Sequence, residues 1–135
     1  EYGNITAFCH WYKKYYHVDH SSKIAAYASF GFDASMMDIY GAIANGAELH
    51  IIPEEIRLDF IALQRYFEEN GVTHSFMTTQ VGRQFAMEMS CESLQYLSIG
   101  GEKLVPMEPP KDYKFFNAYG PTECTIFTTV FEVDK

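Results

Sequence analysis

The chain has 135 residues, of which 47% are hydrophobic, and this length and composition predict one globular domain rather than two. Its 18 acidic residues outnumber its 10 basic ones, and the net charge of -8 argues against binding to nucleic acid or to an anionic membrane surface. The three cysteines, Cys9, Cys91 and Cys124, are widely spaced and form no CxxC, so neither a disulfide framework nor a zinc site is predicted. A reducing, cytoplasmic setting is the simplest interpretation.

The chain alternates short apolar segments with segments of helical periodicity. Each apolar segment has the length of a strand that is buried on both faces. These segments span 24–30, 47–52, 72–77, 94–99 and 113–118. Strands that alternate with helices predict an α/β fold: a parallel sheet of about five strands, with right-handed crossovers and helices on both faces. A further helix is predicted before the first strand, in NITAFCHWYKKYY.

The first two connections between strands are predicted to be helices. In SMMDIYGAIANG, Ser35 and Asp38 have the spacing of a capping box, and Gly46 is placed where a helix stops. In DFIALQRYFEENG, apolar residues recur at helical spacing, Asp59 is placed to cap the helix and Gly71 follows its end. Both segments therefore combine start and stop signals with the right periodicity.

The last two connections differ from each other. TTQVGRQFAMEMS is predicted to be a helix that begins with capping threonines and contains an unfavourable Gly82. EKLVPMEPPKDY contains Pro106, Pro109 and Pro110, which leave room for little more than a single turn, because proline lacks a donor and restricts the residue before it. We therefore expect the sheet to have thin cover on that side.

Polar residues and glycines follow the predicted strands, at the edge where a doubly wound sheet binds its ligands. Asp33 comes after the first strand, Gly100-Gly101-Glu102 after the fourth, and Tyr119 to Glu123 after the fifth. The carboxyl ends of parallel strands lie at one edge, so the three loops are expected to share a crevice.

Each of these residues also has an ordinary structural interpretation. Asp33 is placed to cap the next helix or to hold an ammonium group. The paired glycines fit a simple turn, or a backbone that a flat ring or a phosphate approaches closely. Thr122 and Glu123 fit a solvated loop tip, or a site for phosphate and Mg²⁺. Tyr119 fits inward packing or a ring face offered to a base, and spacing alone leaves all these alternatives open.

The five histidines favour no metal site. His10, His17 and His20 lie close together in sequence, but no two have the spacing of a zinc-binding helix, so a solvated surface is the favoured interpretation. His50 and His74 fall within predicted strands and are expected to be core or edge residues with satisfied hydrogen bonds.

Three segments carry a resemblance to a known family. NAYGPTE at 117–123, the FDAS-containing segment at 29–51 and LSIGGEKL at 97–104 resemble the adenylation domains of nonribosomal peptide synthetases. These domains belong to the adenylate-forming superfamily, which also includes acyl-CoA ligases and D-alanine:carrier-protein ligases. The resemblance spans nearly the whole chain. It implies that residues 1–135 form a single flavodoxin-like subdomain from the middle of the family's large N-terminal domain.

The resemblance implies a role for each residue at this edge. Tyr119 packs on adenine, Thr122 contacts the α-phosphate and Glu123 binds Mg²⁺, so Thr122 and Glu123 take the catalytic roles. Asp33 binds the α-ammonium group of an amino acid, which gives a buried carboxylate the partner it needs. The implied nucleotide-binding set is Gly101, Glu102, Asn117, Tyr119, Gly120 and Thr122. The implied substrate-binding set is Asp33, Ala34, Met37, Phe76, Ser98, Gly100, Ala118, Ile126 and Phe127.

The implied reaction joins an amino-acid carboxylate to the α-phosphate of ATP, with Mg²⁺, and gives aminoacyl-AMP for a peptidyl carrier protein. Asp33 is the single charged group of the substrate-binding set, so a neutral amino acid is expected. Met37 and Phe76 favour a small or medium apolar side chain, while Gly100 and Ala118 leave room for a flat aromatic one. The family's phosphate loop and C-terminal lysine domain have no counterpart here, so we expect part of a longer enzyme that is inactive alone.

Two alternatives remain open. The first is a fragment of an acyl-CoA, aryl-acid or D-alanine:carrier-protein ligase, which would share the nucleotide site. An acid without an α-amino group has no use for Asp33, so that residue separates acyl and aryl substrates from amino acids. The second alternative is a flavodoxin-like binding module without chemistry.

Overall fold

The computed structural model describes residues 2–134. Its helices are α1 (Tyr2–Tyr15), α2 (Ala34–Ile43), α3 (Phe60–Asn70) and α4 (Thr79–Glu88), with short 3-10 helices at Glu54–Ile56 and Thr122–Cys124. Its strands are β1 (Lys23–Ala26), β2 (Glu48–Ile51), β3 (His74–Thr78), β4 (Tyr96–Gly100), β5 (Lys114–Tyr119) and β6 (Thr129–Glu132). The predicted alternation of strands and helices is confirmed.

The strands form one sheet in the order β2-β1-β3-β4-β5-β6. The first five pair in parallel, whereas β6 runs antiparallel to β5 and forms an edge. The order 2-1-3-4-5 is that of a flavodoxin-like, doubly wound sheet, so the predicted fold class is confirmed. The sheet has one strand more than the five predicted, because the short β6 adds to it after the last crossover.

Two hydrophobic clusters cover the two faces of the sheet. We call the side covered by α3 and α4 the α3/α4 face and the opposite side the α1/α2 face. Buried members on the α3/α4 face include Leu63, Phe67, Phe85, Leu97 and Ile99. Buried members on the α1/α2 face include Phe8, Tyr12, Tyr16, Met37, Phe76 and Phe116. The central strands β3 and β4 contribute to both clusters, which explains why their sequences read as continuous apolar runs.

The first strand is shorter than predicted. The apolar run 24–30 predicts a strand through Phe30, but β1 ends at Ala26 and the chain leaves the sheet there. Tyr27 still packs on the α3/α4 face, with its hydroxyl donating to the Arg57 carbonyl at 2.6 Å. Phe30 is exposed. The loop keeps an apolar composition, so periodicity alone did not reveal where pairing stops.

The start and end of α3 are as predicted. The Ala62 N–H donates to Asp59 Oδ1 at 3.0 Å, so Asp59 caps the helix. Gly71 follows the last helical residue with φ 66°, a left-handed conformation that glycine adopts without a steric penalty.

The predicted capping box of α2 is wrong. The helix begins at Ala34, one residue before Ser35, and the Ser35 hydroxyl donates backwards to the Phe32 carbonyl at 2.7 Å. Asp38 is fully buried instead of reaching back to the helix start. The spacing of the two residues was right for a capping box, but the N-cap is Asp33 and Ser35 lies two residues after it.

The start of α4 also differs from the prediction. Thr78 is at the N-cap but makes no side-chain cap hydrogen bond, and the Thr79 hydroxyl donates to the Glu102 carbonyl at 3.1 Å. Thr79 therefore joins α4 to the loop after β4, and the predicted cap by Thr78 is not formed. Gly82 is explained by packing: a Cβ there would collide with Cγ2 of Ile99, so its absence lets α4 lie directly on β4.

The segment between β4 and β5 contains no helix, as its prolines predict. Leu104 and Met107 pack against the α3/α4 cluster, and Val105 is exposed. Across residues 2–134, none of the helices combines the length and the hydrophobicity required to cross a bilayer.

Candidate active site

The five parallel strands all end at the same edge of the sheet. The register pairs Thr78 of β3 with Gly100 of β4, and Gly100 with Ala118 of β5. The loops that follow β1, β4 and β5 therefore all leave from this edge. In the sheet, β2 lies on one side of β1 and β3 lies on the other. The strand order therefore reverses next to the loop after β1, which carries Asp33.

The edge is long rather than point-like. The loop after β1 and the loop after β5 are separated by three strand spacings, which amounts to roughly 14 Å. The loop after β4 lies between them. The three loops thus form one continuous rim, with Asp33 near one end and Tyr119 near the other.

The predicted substrate-binding residues lie mostly on the α1/α2 face. Six of them belong to its hydrophobic cluster: Ala34, Met37, Phe76, Ala118, Ile126 and Phe127. Ser98 and Gly100 pair with Phe76, Phe116, Thr78 and Ala118 in the sheet, so they lie on the same face. The structure therefore brings together eight residues from α2, three strands and the loop before β6.

These residues are closely packed. A Cβ at Gly100 would meet the Ala118 carbonyl oxygen at 2.8 Å and the Phe76 ring at 3.3 Å. The Phe76 and Phe127 ring centroids are 5.7 Å apart, and Phe8 of α1 lies 6.1 Å from Phe127. Aromatic rings from α1 thus complete the wall that the sheet begins.

Asp33 precedes α2 without capping it. It is at the N-cap position with φ -61°, and its side chain makes no cap hydrogen bond. It is half-buried and takes part in no salt bridge within residues 2–134. Of the two interpretations left open by the sequence, the simple cap is wrong, and the carboxylate remains available for an ammonium group.

The predicted nucleotide-binding residues lie at the rim and are more exposed. Gly101 has φ 104°, a conformation open to glycine but strained for other residues. Hydrogen bonds of 3.1 and 3.2 Å between Thr79 Oγ1 and the backbone of Glu102 hold the next residue. Tyr119 is 69% exposed at the end of β5, and Asn117 is half-buried on the same side of that strand.

The loop after Tyr119 is held by close backbone contacts. A Cβ at Gly120 would lie 2.5 Å from the Ile126 carbonyl oxygen, and the Thr128 N–H donates to the Tyr119 carbonyl at 2.8 Å. Thr125 and Ile126 have φ values of 63° and 75°, which is uncommon for any residue other than glycine and rare for a branched one. Such strain persists only where the surroundings impose it and is frequent at functional sites.

Glu123 is suited to bind Mg²⁺ together with a phosphate ligand. It is exposed on the 3-10 turn Thr122–Cys124. Residues 2–134 contain no group of three or more His, Cys, Asp or Glu side chains that could hold a metal ion by themselves. One carboxylate is nevertheless sufficient where substrate phosphates and water complete the octahedron, which is the usual arrangement for Mg²⁺.

The contribution of α1 was missed by the sequence analysis. A groove of about 690 Å³ runs between α1 and the loop that leads into β6. Its walls include Phe8, Trp11 and Tyr15 of α1 together with Glu123 and Phe127. The signal was present as an aromatic stripe in NITAFCHWYKKYY, but a stripe of this kind indicates only a buried helix face.

Asp38 was also missed as a notable residue. It is fully buried, and neither carboxylate oxygen has a hydrogen-bond partner of good geometry. Burial raises the pKa of this carboxyl well above its usual range, while the backbone N–H groups of Tyr27 and Ala28 act in the opposite direction. These N–H groups belong to the start of the loop that leads to Asp33, so Asp38 lies directly behind the rim.

The histidines are placed largely as expected. His10, His17 and His20 are exposed, and His50 is half-buried on the edge strand β2. His74 is buried, with Nε2 2.9 Å from the Tyr16 carbonyl oxygen, and burial lowers the pKa of its ring.

Comparison with known proteins places these features in a family context. A model of the family described as AMP-binding enzyme matches residues 1–135. The chain is 42% identical over 133 residues to surfactin synthase subunit 2 of Bacillus subtilis and 36% identical over 135 residues to bacitracin synthase 1 of Bacillus licheniformis. These matches cover 98% and 100% of this chain but only 4% and 2% of the relatives.

A solved structure has the same fold. The adenylation domain AlmE of Vibrio cholerae, in complex with glycyl-adenosine-5'-phosphate, superimposes with a TM-score of 0.83 at 23% identity. The match covers 98% of this chain and 26% of that one. The chain thus spans about a quarter of a solved adenylation-domain chain and a few per cent of the synthases that it resembles.

Proposed function

Because this chain belongs to the AMP-binding enzyme family, we propose that it is the substrate-selecting and nucleotide-binding part of an amino-acid adenylation domain. In this proposal residues 1–135 form one flavodoxin-like subdomain of a longer enzyme. That enzyme forms aminoacyl-AMP from a neutral amino acid and ATP and passes the aminoacyl group to a peptidyl carrier protein. The proposed setting is the cytoplasm, and the three free cysteines are compatible with a reducing compartment.

The observation that supports the proposal best is the single rim at the carboxyl edge of the sheet. The uncommitted carboxylate of Asp33 lies near one end, and the exposed Tyr119 ring lies near the other. Between them the sheet bears the apolar cluster with Met37, Phe76 and Ala118. An ammonium group, a neutral side chain and a nucleotide each have a chemically matched surface along this rim.

Each side chain has a proposed task. Asp33 pairs with the α-ammonium group of the amino-acid substrate. This contact fixes the position of the substrate's own carboxylate. Tyr119 stacks on adenine, beside the backbone of Gly101 and Glu102 and the amide of Asn117. Thr122 donates to the α-phosphate. These contacts position the reactants, which is the main source of rate enhancement in a substitution at phosphorus.

The proposed reaction is a single substitution at the α-phosphorus of ATP. An oxygen of the amino-acid carboxylate attacks the α-phosphorus of ATP, the bond to the bridging oxygen breaks and pyrophosphate leaves. Glu123 would hold Mg²⁺, which when bound neutralises charge on the phosphates. Gly120 lets the start of the loop that bears Thr122 and Glu123 pack backbone against backbone with residues 126–128.

The charge distribution supports a neutral substrate. The eight residues of the α1/α2 face assigned to the pocket carry no charge, so an acidic or basic side chain would be buried there without a counter-ion. Asp33 is the one ionic partner of the proposed site and is already used by the α-ammonium group.

Pyrophosphate exchange in the complete protein, with a panel of amino acids, tests the proposal. We expect exchange with a neutral amino acid and a loss of roughly a hundredfold or more in Asp33→Ala, because the substrate ammonium group would be left unpaired. Asp59→Ala is the matched control, since Asp59 also precedes a helix, but that helix is α3, which packs on the opposite face of the sheet. Preference for Asp, Glu, Lys or Arg would contradict the proposed substrate class.

The same assay separates the alternatives. An acyl-CoA or aryl-acid ligase would activate its acid equally well in Asp33→Ala, because that acid has no ammonium group. A binding module without chemistry would show no exchange with any acid. The 135-residue chain by itself is expected to be inactive, and turnover by it would contradict that expectation.

A further inference from the structure

Ser98 is the polar member of the apolar wall. It lies in the middle of β4, with Phe76 beside it on β3 and Phe116 beside it on β5. It is only 4% exposed. A serine hydroxyl in this position is able to donate a hydrogen bond to an oxygen of a substrate side chain, unless its proton is already donated within the protein.

The protein does use that proton. Ser98 Oγ donates to the hydroxyl oxygen of Tyr16 at 2.9 Å, and Tyr16 itself is 2% exposed. Burial raises the pKa of Tyr16, so its hydroxyl stays neutral over the whole physiological range. Tyr16 follows the last residue of α1 and does not belong to the substrate-binding set implied by the family resemblance.

The Tyr16 ring is fixed on several sides. The rings of Trp11 and Phe116 meet it edge-on, with centroid distances of 5.9 and 5.4 Å, and Tyr12 lies 4.9 Å away. The Tyr16 carbonyl is held in turn by Nε2 of His74 at 2.9 Å. The Tyr16 hydroxyl that accepts the hydrogen bond from Ser98 is therefore positioned by neighbouring rings and by the backbone.

We propose that Tyr16 is a specificity-determining residue that withholds the Ser98 proton from the substrate and thereby disfavours side chains with an acceptor oxygen. The inference rests on the proposed function and deepens it. An acceptor oxygen on a substrate side chain, such as an ether or carbonyl oxygen, would meet a Ser98 hydroxyl whose proton is already donated to Tyr16. Such an oxygen would lose its hydrogen bonds to water and receive none from Ser98, which disfavours it relative to an apolar analogue.

The test compares two substrates in the complete protein. For an apolar amino acid that the wild type activates, kcat/KM is measured together with that of an analogue whose oxygen can only accept a hydrogen bond, such as O-methylserine against norvaline. Tyr16→Phe keeps the ring and releases the Ser98 hydroxyl. We expect the ratio of kcat/KM for the oxygen-bearing analogue to that for the apolar one to rise between about twofold and tenfold, the range that one buried hydrogen bond contributes.

Three variants make the result specific. Tyr113→Phe is the matched control, because it removes the hydroxyl of a buried tyrosine on the α3/α4 face that has no hydrogen-bond partner, and it should leave the ratio unchanged. Ser98→Ala should also leave the ratio unchanged, since its proton is not offered to the substrate. In Tyr16→Phe/Ser98→Ala the gain should disappear, because no hydroxyl remains to be released.

The outcomes distinguish the role of Tyr16 from the proposed function. If the wild type activates no amino acid, the proposed function fails. If it activates a neutral amino acid but the ratio is the same in Tyr16→Phe, the role of Tyr16 is wrong while the proposed function stands. If Tyr16→Phe does not fold, Ser98→Ala decides: a fall in the ratio would show that Ser98 already reads the substrate, which overturns the inference. A loss of activity that affects both substrates equally indicates a purely structural role.

Discussion

The two faces of the sheet are packed in different ways. On the α3/α4 face the buried side chains are mainly aliphatic and phenylalanine groups, with Gly82 allowing α4 to approach β4 directly. The α1/α2 face buries the carboxyl of Asp38 and the imidazole of His74 beside Ser98, whereas the buried polar atoms of the α3/α4 face include the hydroxyls of Ser75 and Tyr113. Ionisable groups are the costliest to bury, so they persist where they serve another purpose. The comparison separates a face that stabilises the subdomain from a face that also carries the proposed site.

The largest expected loss of stability comes from a substitution on the α3/α4 face. Phe85 is fully buried and its ring meets those of Phe60 and Phe67 at 5.6 and 6.0 Å. Phe85→Ala should lower the free energy of unfolding by about 3–5 kcal/mol, through lost burial and the cavity left behind. Urea unfolding of the 135-residue chain, followed by the fluorescence of its single tryptophan, Trp11, measures this.

Met87→Ala is the control for this prediction. Met87 lies on the same helix but is 60% exposed, so its truncation should change the free energy of unfolding by less than about 0.5 kcal/mol. A loss below about 1 kcal/mol in Phe85→Ala would mean that this face is not the main source of stability.

A smaller effect is expected at the rim. Gly120→Ala places a Cβ against the backbone of Ile126, Phe127 and Thr128, none of which can move alone. The expected loss in the free energy of unfolding is about 1–3 kcal/mol. The displaced loop should also raise the KM for ATP in the complete protein while amino-acid selectivity is unchanged, and steady-state kinetics check both.

Gly31→Ala provides the comparison for Gly120. Gly31 is in the loop after β1, and its nearest neighbour for a new Cβ is the Ser29 hydroxyl at 4.0 Å. The substitution should therefore leave both stability and the KM for ATP near the wild-type values. An equal effect at the two glycines would argue that backbone crowding at Gly120 is unimportant.

Asp38 gives the α1/α2 face a pH dependence. Burial raises the pKa of Asp38 in the folded protein above the value near 3.8 expected in the unfolded chain. The contribution of Asp38 to the free energy of unfolding is therefore most favourable below pH 3.8, and it is lost as the pH rises toward the folded pKa. Asp38→Asn removes this titration. In that window the stability of the variant relative to the wild type should rise by up to about 1.4 kcal/mol per pH unit. Urea unfolding at a series of pH values above 4 measures the difference, and a constant difference would refute it.

The smallest effect distinguishes two aspartates that precede helices. Asp59 accepts a hydrogen bond from the Ala62 N–H, whereas Asp33 makes no cap hydrogen bond. Asp59→Ala should lower the free energy of unfolding by about 1 kcal/mol. Asp33→Ala should change it by less than about 0.5 kcal/mol. Urea unfolding of both variants tests this, and a larger loss at Asp33 would mean that its carboxylate has a structural partner.

Much of the fold could be predicted because the signals were local. Buried parallel strands read as apolar runs, and Asp59 and Gly71 mark the ends of α3 directly. Local spacing was misleading where tertiary contacts decided, as at Ser35, whose hydroxyl bonds to Phe32. The strand β6 was not among the five predicted strands; three of its four residues are exposed, including Phe131, and its antiparallel pairing with β5 makes it the edge of the sheet.

In the candidate site, the rim residues could be predicted from the sequence, whereas Tyr16 could not. The rim residues follow strands, so topology alone brings Asp33, Glu102 and Tyr119 to one edge. Tyr16 is one of ten tyrosines in the chain, and nothing in its neighbours indicates that its hydroxyl meets Ser98. That contact joins residues far apart in sequence and depends on how α1 lies across the sheet.

Phe127 has a consequence for exchanging specificity between relatives. Its ring packs against Phe8 and Trp11 of α1 as well as Phe76 of β3. A transplanted segment that begins after α1 would bring Phe127 into a host whose first helix was fitted to a different residue. Chimeric enzymes built from this chain should therefore take α1 and the loop before β6 from the same parent, with the junction placed ahead of the helix.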